Sequence, residues 1–183
     1  MVNFTRAVSA LALAATATAA PANTTAKATE SGLTWTVKDF DFHADYVFTT
    51  PAHQNSYGYV KFTLTSDKTG LVYGCSAQSS QIPDFFYEFN DAYPCTAPQG
   101  AAEGIKASWA SFKYNRPDGK LILEETIVPA EGETYTASGS TTIKTTCTDE
   151  SKGPNPNWQI GENYSERHIV CEKTDATVAG TVA

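Results

Sequence analysis

Four cysteines carry the clearest chemistry in the sequence. None of them lies in the close Cys-x-x-Cys spacing of metal-binding and redox-active thiols, and their even number suits complete pairing into disulfides in an oxidising compartment. Three pairings are possible on paper, and we favour the one between sequence neighbours because it closes two hairpin-like loops. A zinc site that joins them to a histidine is disfavoured, since its ligands would be scattered along the chain. The residues concerned are Cys75, Cys95, Cys147, Cys171 and His168.

The histidines form no recognisable catalytic or metal-binding motif. The sequence contains three, His43, His53 and His168, and no two of them have the short spacing of a metal-binding motif. The sequence also lacks a Gly-x-Ser-x-Gly nucleophile elbow. We therefore predict no catalytic residue, no metal ligand and no cofactor.

Two pairs of carboxylates are close enough in sequence to be considered for glycoside hydrolysis, which places two acids on either side of one bond. Glu124 and Glu125 are adjacent in a predicted strand, so their side chains should point to opposite faces and cannot flank one bond. Asp39 and Asp41 have the spacing to share a face, but a solvated strand face explains them more simply. We predict that the protein is not an enzyme, and a hydrolase is the least favoured alternative.

The N-terminal segment has the features of a secretory signal peptide. Arg6 precedes a short apolar run of small residues over 7–19, which is shorter than a membrane-spanning helix requires. We predict a signal peptide over 1–19, a disordered leader over 20–32, a β-barrel domain over 33–175 and a flexible tail over 176–183. The mature protein is expected to be secreted and extracellular, without a membrane anchor.

Two asparagines remain as N-glycosylation candidates after removal of the signal peptide. Asn23 precedes Thr24-Thr25 in the leader, and Asn163 precedes Tyr164-Ser165. Both match the Asn-x-Ser/Thr acceptor pattern, which is used on exposed segments of secreted proteins.

The body of the chain shows strand periodicity. Val60, Phe62 and Leu64 alternate with polar residues, as in a half-buried strand. The apolar residues change from odd to even positions between Val37 and Phe40, which predicts a β-bulge. We expect a second change of this kind between residues 109 and 112. Strands recur about every ten residues between turn signals, a spacing typical of β-sandwiches and barrels. We predict an all-β, compact, single-domain antiparallel β-barrel or sandwich.

A cluster of aromatic and acidic residues lies over 83–94, inside the first predicted disulfide loop. It contains five aromatic residues among three acids. A core strand is one interpretation; the other is an exposed surface that binds a basic partner or an aromatic ligand, because aromatic rings dominate interface energetics. A second exposed aromatic is expected in the loop around residue 157. The candidate recognition residues are Phe86, Tyr87, Phe89, Tyr93 and Trp158.

The overall charge disfavours nucleic acid as a partner. The formal net charge is −7 at pH 7, and lysine and arginine occur singly rather than in a basic stripe. Phosphate backbones attract the opposite sign of charge.

Several segments, taken in order, resemble the AA1-like family of secreted fungal proteins, typified by the major allergen of Alternaria. Each segment is short, but their order and the positions of the cysteines make the resemblance specific. Together they cover most of the chain from residue 33 to residue 172. The matching segments are residues 35–40, 55–62, 70–78, 119–123, 133–137 and 169–171.

The resemblance implies a β-barrel with two disulfides, Cys75 with Cys95 and Cys147 with Cys171, and no established enzymatic activity. It implies an allergen-like protein, effector or elicitor that recognises a host extracellular protein; the alternative is a β-barrel carrier of a small aromatic (phenolic) ligand. Dimerising relatives carry an extra cysteine near the mature N-terminus, which is missing between residues 20 and 74 here. We therefore expect a monomer or a non-covalent homodimer.

Overall fold

The computed structural model describes residues 32–88, 92–96, 98–100 and 102–182. The predicted signal peptide, nearly all of the predicted leader, Asn23 and Phe89 lie outside the described residues. Ten strands form one antiparallel sheet. They are β1 (Leu33–Thr50), β2 (His53–Ser66), β3 (Val72–Ser79), β4 (Tyr93–Pro94), β5 (Ile105–Asn115), β6 (Lys120–Pro129), β7 (Tyr135–Thr142), β8 (Cys147–Lys152), β9 (Ser165–Cys171) and β10 (Thr174–Val182).

The sheet curls into a nearly closed barrel, which confirms the predicted fold class. Its strand order is β3-β2-β1-β10-β7-β6-β5-β4, and β9 and β8 extend it from the second half of β1. The segment after β4 approaches β3, where the Thr96 amide donates to the Gly74 carbonyl at 2.8 Å and the Gln99 amide donates to the Val72 carbonyl at 2.9 Å. These bonds bring the two ends of the sheet together.

The predicted bulge in β1 is confirmed, because the pairing register with both neighbouring strands shifts between Val37 and Asp41. Before the bulge β1 pairs with β10, and after it β1 pairs with β9. The second predicted slip is wrong in position: the register of β5 shifts between Ile105 and Ala107 and is regular from there onward.

The predicted flexible tail is also corrected. Residues 174–182 form β10, which pairs with β1 on one side and β7 on the other. Its side chains are small, but alternate positions fill the barrel, with Val178 and Gly180 buried. The segment looked polar because its other positions face solvent.

Large aromatic side chains fill the barrel interior. Each is less than 2% exposed, and together they occupy the interior of the barrel. The largest are Trp35, Phe40, Phe42, Tyr73, Phe85, Phe86 and Phe112.

Candidate recognition surface

The cysteines form two disulfides, Cys75 with Cys95 and Cys147 with Cys171. The pairing favoured from the sequence is therefore confirmed. The first bond joins β3 to the segment that closes the barrel, and the second joins the first residue of β8 to the last residue of β9.

The predicted aromatic surface over 83–94 does not assemble as expected. Phe86 is 1% exposed, and its ring packs 5.8 Å from Tyr93 and 6.4 Å from Phe42. Phe85 and Phe86 both have positive φ, 50° and 42°, so the segment is a turn in which strand alternation does not apply. Both rings point into the core, and the expectation that Phe86 is part of an exposed surface was wrong.

The remaining predicted recognition residues do not form one patch. Tyr87 is 39% exposed, while Tyr93 is half-buried against Phe86 and Phe112. Trp158 is half-buried in its loop, where its Nε1 donates to the Glu162 carbonyl at 2.8 Å. The indole therefore serves local packing.

An aromatic surface does exist, on the outer faces of β2, β1 and β9. The Tyr59 ring stacks on the His43 ring at 4.9 Å, and the Tyr57 ring lies 6.5 Å from Tyr59. Val170 lies directly across from His43 and is 54% exposed. Nothing in the sequence indicates that these four residues are neighbours. The pairing of β1 with β9 brings Val170 beside the rings.

Carboxylates lie beside these rings, and two lysines lie at the edge of the same surface, Lys61 opposite Asp41 and Lys152 opposite Glu166. Asp45 and His168 face each other across β1 and β9, with an oxygen–nitrogen distance of 2.7 Å between Asp45 Oδ1 and His168 Nδ1. His168 Nε2 lies 3.5 Å from Glu166 Oε2. On the other side of β9, Glu150 of β8 lies directly opposite His168. The hydrogen bond with Asp45 raises the pKa of His168, and the bond with Glu166 adds to the effect.

We call this surface the aromatic–acidic face. It has rings and a valine at its centre and four carboxylates around them, together with two histidines. Such a surface suits a basic partner, because the centre supplies apolar contact and the surrounding charges supply orientation and association rate. Its residues are Asp41, His43, Asp45, Tyr57, Tyr59, Glu150, Glu166, His168 and Val170.

A separate apolar groove lies at one end of the barrel, with a volume of about 440 Å³. The Arg167 guanidinium sits over the Tyr46 ring at 5.1 Å and donates from Nε to Asp149 at 2.8 Å and 3.1 Å. The Tyr46 hydroxyl donates to the Pro83 carbonyl. The groove is lined by Tyr46, Phe48, Gln54, Ile82, Pro83 and Arg167.

The structure separates the carboxylates of one candidate pair, Glu124 and Glu125. Glu124 is exposed while Glu125 is completely buried, so the two point to opposite faces as predicted. Glu125 accepts hydrogen bonds from Trp35 Nε1 at 2.7 Å and from the Tyr73 hydroxyl at 2.7 Å. Burial raises the pKa of Tyr73 well above its usual range. Asp39 lies in the β1 bulge with φ 53°.

Comparison with known proteins places the chain in a family. The sequence profile of the Alternaria alternata allergen 1 family matches residues 37–171. The chain belongs to the Alternaria alternata allergen 1 family. No curated protein and no solved structure matches the chain.

The family match runs from β1 to the end of β9 and includes all four cysteines. This confirms the resemblance read from the residues, and the barrel and the disulfides described above belong to this allergen-family domain. The aromatic–acidic face lies entirely within the match. Strand β10, which joins β1 to β7, lies entirely beyond the match.

Two further observations bear on the site. Within the described residues, no group of three His, Cys, Asp or Glu side chains is arranged to hold a metal ion, and no helix has the length and apolar character for a membrane span. The glycosylation candidate Asn163 is exposed, and its Nδ2 donates to Glu166 at 2.6 Å. Its modification stays a prediction.

Proposed function

We propose that this allergen-family protein is secreted and acts without catalysis, by binding a basic extracellular protein of a host through the aromatic–acidic face. The two disulfides and the family are consistent with secretion. The observation that carries the proposal is the row of Tyr57, Asp45, His168 and Glu150 across four neighbouring strands, beside the stacked Tyr59 and His43.

Physical reasoning favours a protein partner for this face. Tyrosine rings give a large contact area at low entropic cost, and Tyr57 is already 41% exposed. The carboxylates speed association with a basic surface and make binding weaker as salt screens their charge.

The test uses two double variants with the same chemical change. Tyr57→Ser with Glu150→Gln alters the aromatic–acidic face, and Tyr87→Ser with Glu131→Gln removes a tyrosine of similar exposure and a carboxylate elsewhere. Immobilised oxidised proteins are exposed to plant extracellular fluid, and mass spectrometry identifies what is retained. A reduced, unfolded sample serves as the control for non-specific retention.

We expect a basic protein that wild type and the Tyr87/Glu131 variant retain, that the Tyr57/Glu150 variant loses, and whose retention decreases with added salt. Equal retention by all three folded proteins would show that another surface is responsible. Retention of the same material by the unfolded sample would remove support for recognition altogether.

The second candidate function is the carriage of a small aromatic compound, and the apolar groove beside Arg167 favours it. Most of the side chains that line this groove are aromatic or apolar, and the Arg167 guanidinium is the positively charged group among them. If the protein is such a carrier, Ile82→Ser should abolish retention of a phenolic compound while the Tyr57/Glu150 variant still retains it. A hydrolase would be indicated only by turnover that a single carboxylate or histidine substitution abolishes.

The oligomeric state belongs to the proposal as well. We propose a monomer or a non-covalent homodimer, since all four cysteines are used within the chain. Light scattering after size-exclusion chromatography distinguishes the two, and a dimer that dissociates only on reduction would contradict both.

A further inference from the structure

A second exposed surface lies on the outer face of β5, β6 and β7. Trp109 is 55% exposed there, although tryptophan is usually one of the more buried residue types. Its neighbours along β5, Ala110, Phe112 and Tyr114, fill the core. The strand therefore buries smaller rings and presents its largest ring to solvent, which core packing does not explain.

Hydroxyl groups continue this surface from the indole. Trp109 lies opposite Thr126, and Thr126 lies opposite Thr136 on the next strand. The two threonine hydroxyls are hydrogen-bonded to each other at 2.9 Å. The next row carries Ser111, Glu124 and Ser138 in the same order of strands.

The charge of this surface differs from that of the aromatic–acidic face. Its first row contains no charged residue and its second contains a single carboxylate, Glu124. Adjacent strands lie about 4.8 Å apart, so the row from Trp109 to Thr136 spans about 10 Å, enough for more than one sugar ring. An extended, uncharged ligand rich in hydroxyl groups matches these features.

We propose that this hydroxyl-rich face binds a neutral polysaccharide chain. The apolar C–H face of one sugar ring rests on the Trp109 indole, because the ring is 55% exposed and offers a large apolar area to solvent. One of the Thr126 and Thr136 hydroxyls donates to the other, so the pair offers one O–H donor and its remaining oxygen lone pairs to the hydroxyls of the next sugar. The site shares no residue with the aromatic–acidic face, and so it is independent of the proposed protein partner.

The experiment is a depletion assay with insoluble polysaccharides as probes: cellulose, chitin and a β-1,3-glucan. The full mature protein, oxidised, is mixed with each solid, and the fraction left in solution is measured. We expect wild type to be depleted by at least one probe. Trp109→Ala should weaken the retention at least fivefold, and Trp109→Phe should restore part of it because it keeps an aromatic face.

Two further variants keep the test decisive. Thr126→Val with Thr136→Val removes the hydroxyls but keeps the shape and β-propensity, and it should also reduce retention. Tyr57→Ser, on the other surface, should bind as wild type does. Far-ultraviolet circular dichroism establishes that each variant is folded. The proposal is overturned if none of the three solids retains wild type, or if folded Trp109→Ala and the double valine variant are retained as well as wild type.

Discussion

At the scale of single residues, Glu125 joins three strands from inside the barrel. Its two oxygens accept from Trp35 of β1 and Tyr73 of β3, and the Ser108 hydroxyl of β5 lies 3.2 Å from Oε1. A buried carboxylate is tolerated only when hydrogen bonds replace its lost hydration. Glu125 therefore has a structural role, because it is the shared acceptor for Trp35, Tyr73 and Ser108.

We expect Glu125→Ala to lower the free energy of unfolding by about 3 kcal/mol, because the buried Trp35 donor loses its acceptor and a cavity forms. Glu125→Gln should cost less, since its amide oxygen can accept from Trp35 while its amide nitrogen donates to Tyr73. Urea unfolding at pH 7 measures both. If the alanine variant unfolds within about 1 kcal/mol of wild type, the buried hydrogen bonds do not stabilise the barrel as inferred.

His168 provides a prediction about pH. Its partners on the aromatic–acidic face raise its pKa in the folded state, so its ion pairs stabilise the protein fully below the ordinary value of about 6.5 and less as pH rises through the raised value. The other titratable groups of this face are Asp41, His43, Glu150, Tyr57 and Tyr59, and Lys61 and Lys152 lie at its edge.

Asp45→Asn should lower the pKa of His168, because the first partner loses its charge. An NMR titration of the imidazole protons measures this directly. Asp118→Asn, in the turn before β6, is the charge-matched control and should leave the titration unchanged. An unchanged His168 titration in Asp45→Asn would mean that the two residues are not paired in solution.

At the scale of elements, the segment 80–88 shows how a turn packs against the barrel. The Phe85 ring packs 4.9 Å from Tyr46 and sits directly over Gly58 of β2. A Cβ at Gly58 would lie 2.7 Å from the Phe85 ring. The glycine is needed at this position because the ring approaches the strand backbone closely.

Gly58→Ala should therefore destabilise the protein by about 1–3 kcal/mol through overpacking, although alanine in a strand normally costs less backbone entropy than glycine. Gly74→Ala is the matched control, because the nearest atom to its Cβ is the Thr96 hydroxyl at 3.1 Å, which accepts from the Gly74 amide and needs to move far less than the Phe85 ring does. Urea unfolding of the two variants gives the comparison. Equal or greater stability of Gly58→Ala would show that Phe85 does not occupy this position.

The bulge in β1 is the second informative element. The Lys38 ammonium pairs with Asp175 of β10, and the Asp39 amide donates to the same carboxylate at 3.0 Å. These contacts hold β10 beside the first half of β1, and the register shift then directs the second half towards β9. Because of this change of partner, one long strand supports both the barrel and the aromatic–acidic face.

At the scale of the whole molecule, the continuity of the barrel sheet depends on β10, which joins its two halves. The strand lies between β1 and β7, and its Gly180 leaves room for the Trp35 ring, which would lie 2.4 Å from a Cβ there. Removal of the strand would expose the edges of both neighbours together with the core side of Trp35. Sheet edges without partners are unstable and prone to aggregation.

Deletion of residues 174–183 should abolish cooperative thermal unfolding, because the largest core residue loses its cover and the sheet can no longer close. Circular dichroism during heating measures the transition, and size-exclusion chromatography detects aggregation. Deletion of residue 183 alone is the control and should melt as the full chain does. A truncated protein with a cooperative transition close to that of wild type would restore the prediction of a flexible tail.

The sequence by itself determined the fold class and the bulge in β1, and it favoured the cysteine pairing that the structure has. Alternating residues such as Val60, Phe62 and Leu64 report burial directly, because successive side chains of a strand point to opposite faces. The slip between Val37 and Phe40 is visible for the same reason. The ordered segments around the cysteines were sufficient to identify the family.

Only the tertiary structure decided which residues share a surface. Phe86 is buried because two successive left-handed residues turn the chain inward, and no periodicity reports such a turn. His43 and Val170 are far apart in sequence and become neighbours through β1 and β9. Strand β10 is difficult to recognise in the sequence because its residues are small, and its Gly180 is required by the bulk of Trp35 rather than by any local pattern. The alternation of apolar and polar residues within a strand follows from local backbone geometry and is visible in the sequence. A surface is formed by pairing between strands that are distant in sequence, and only the folded structure shows it.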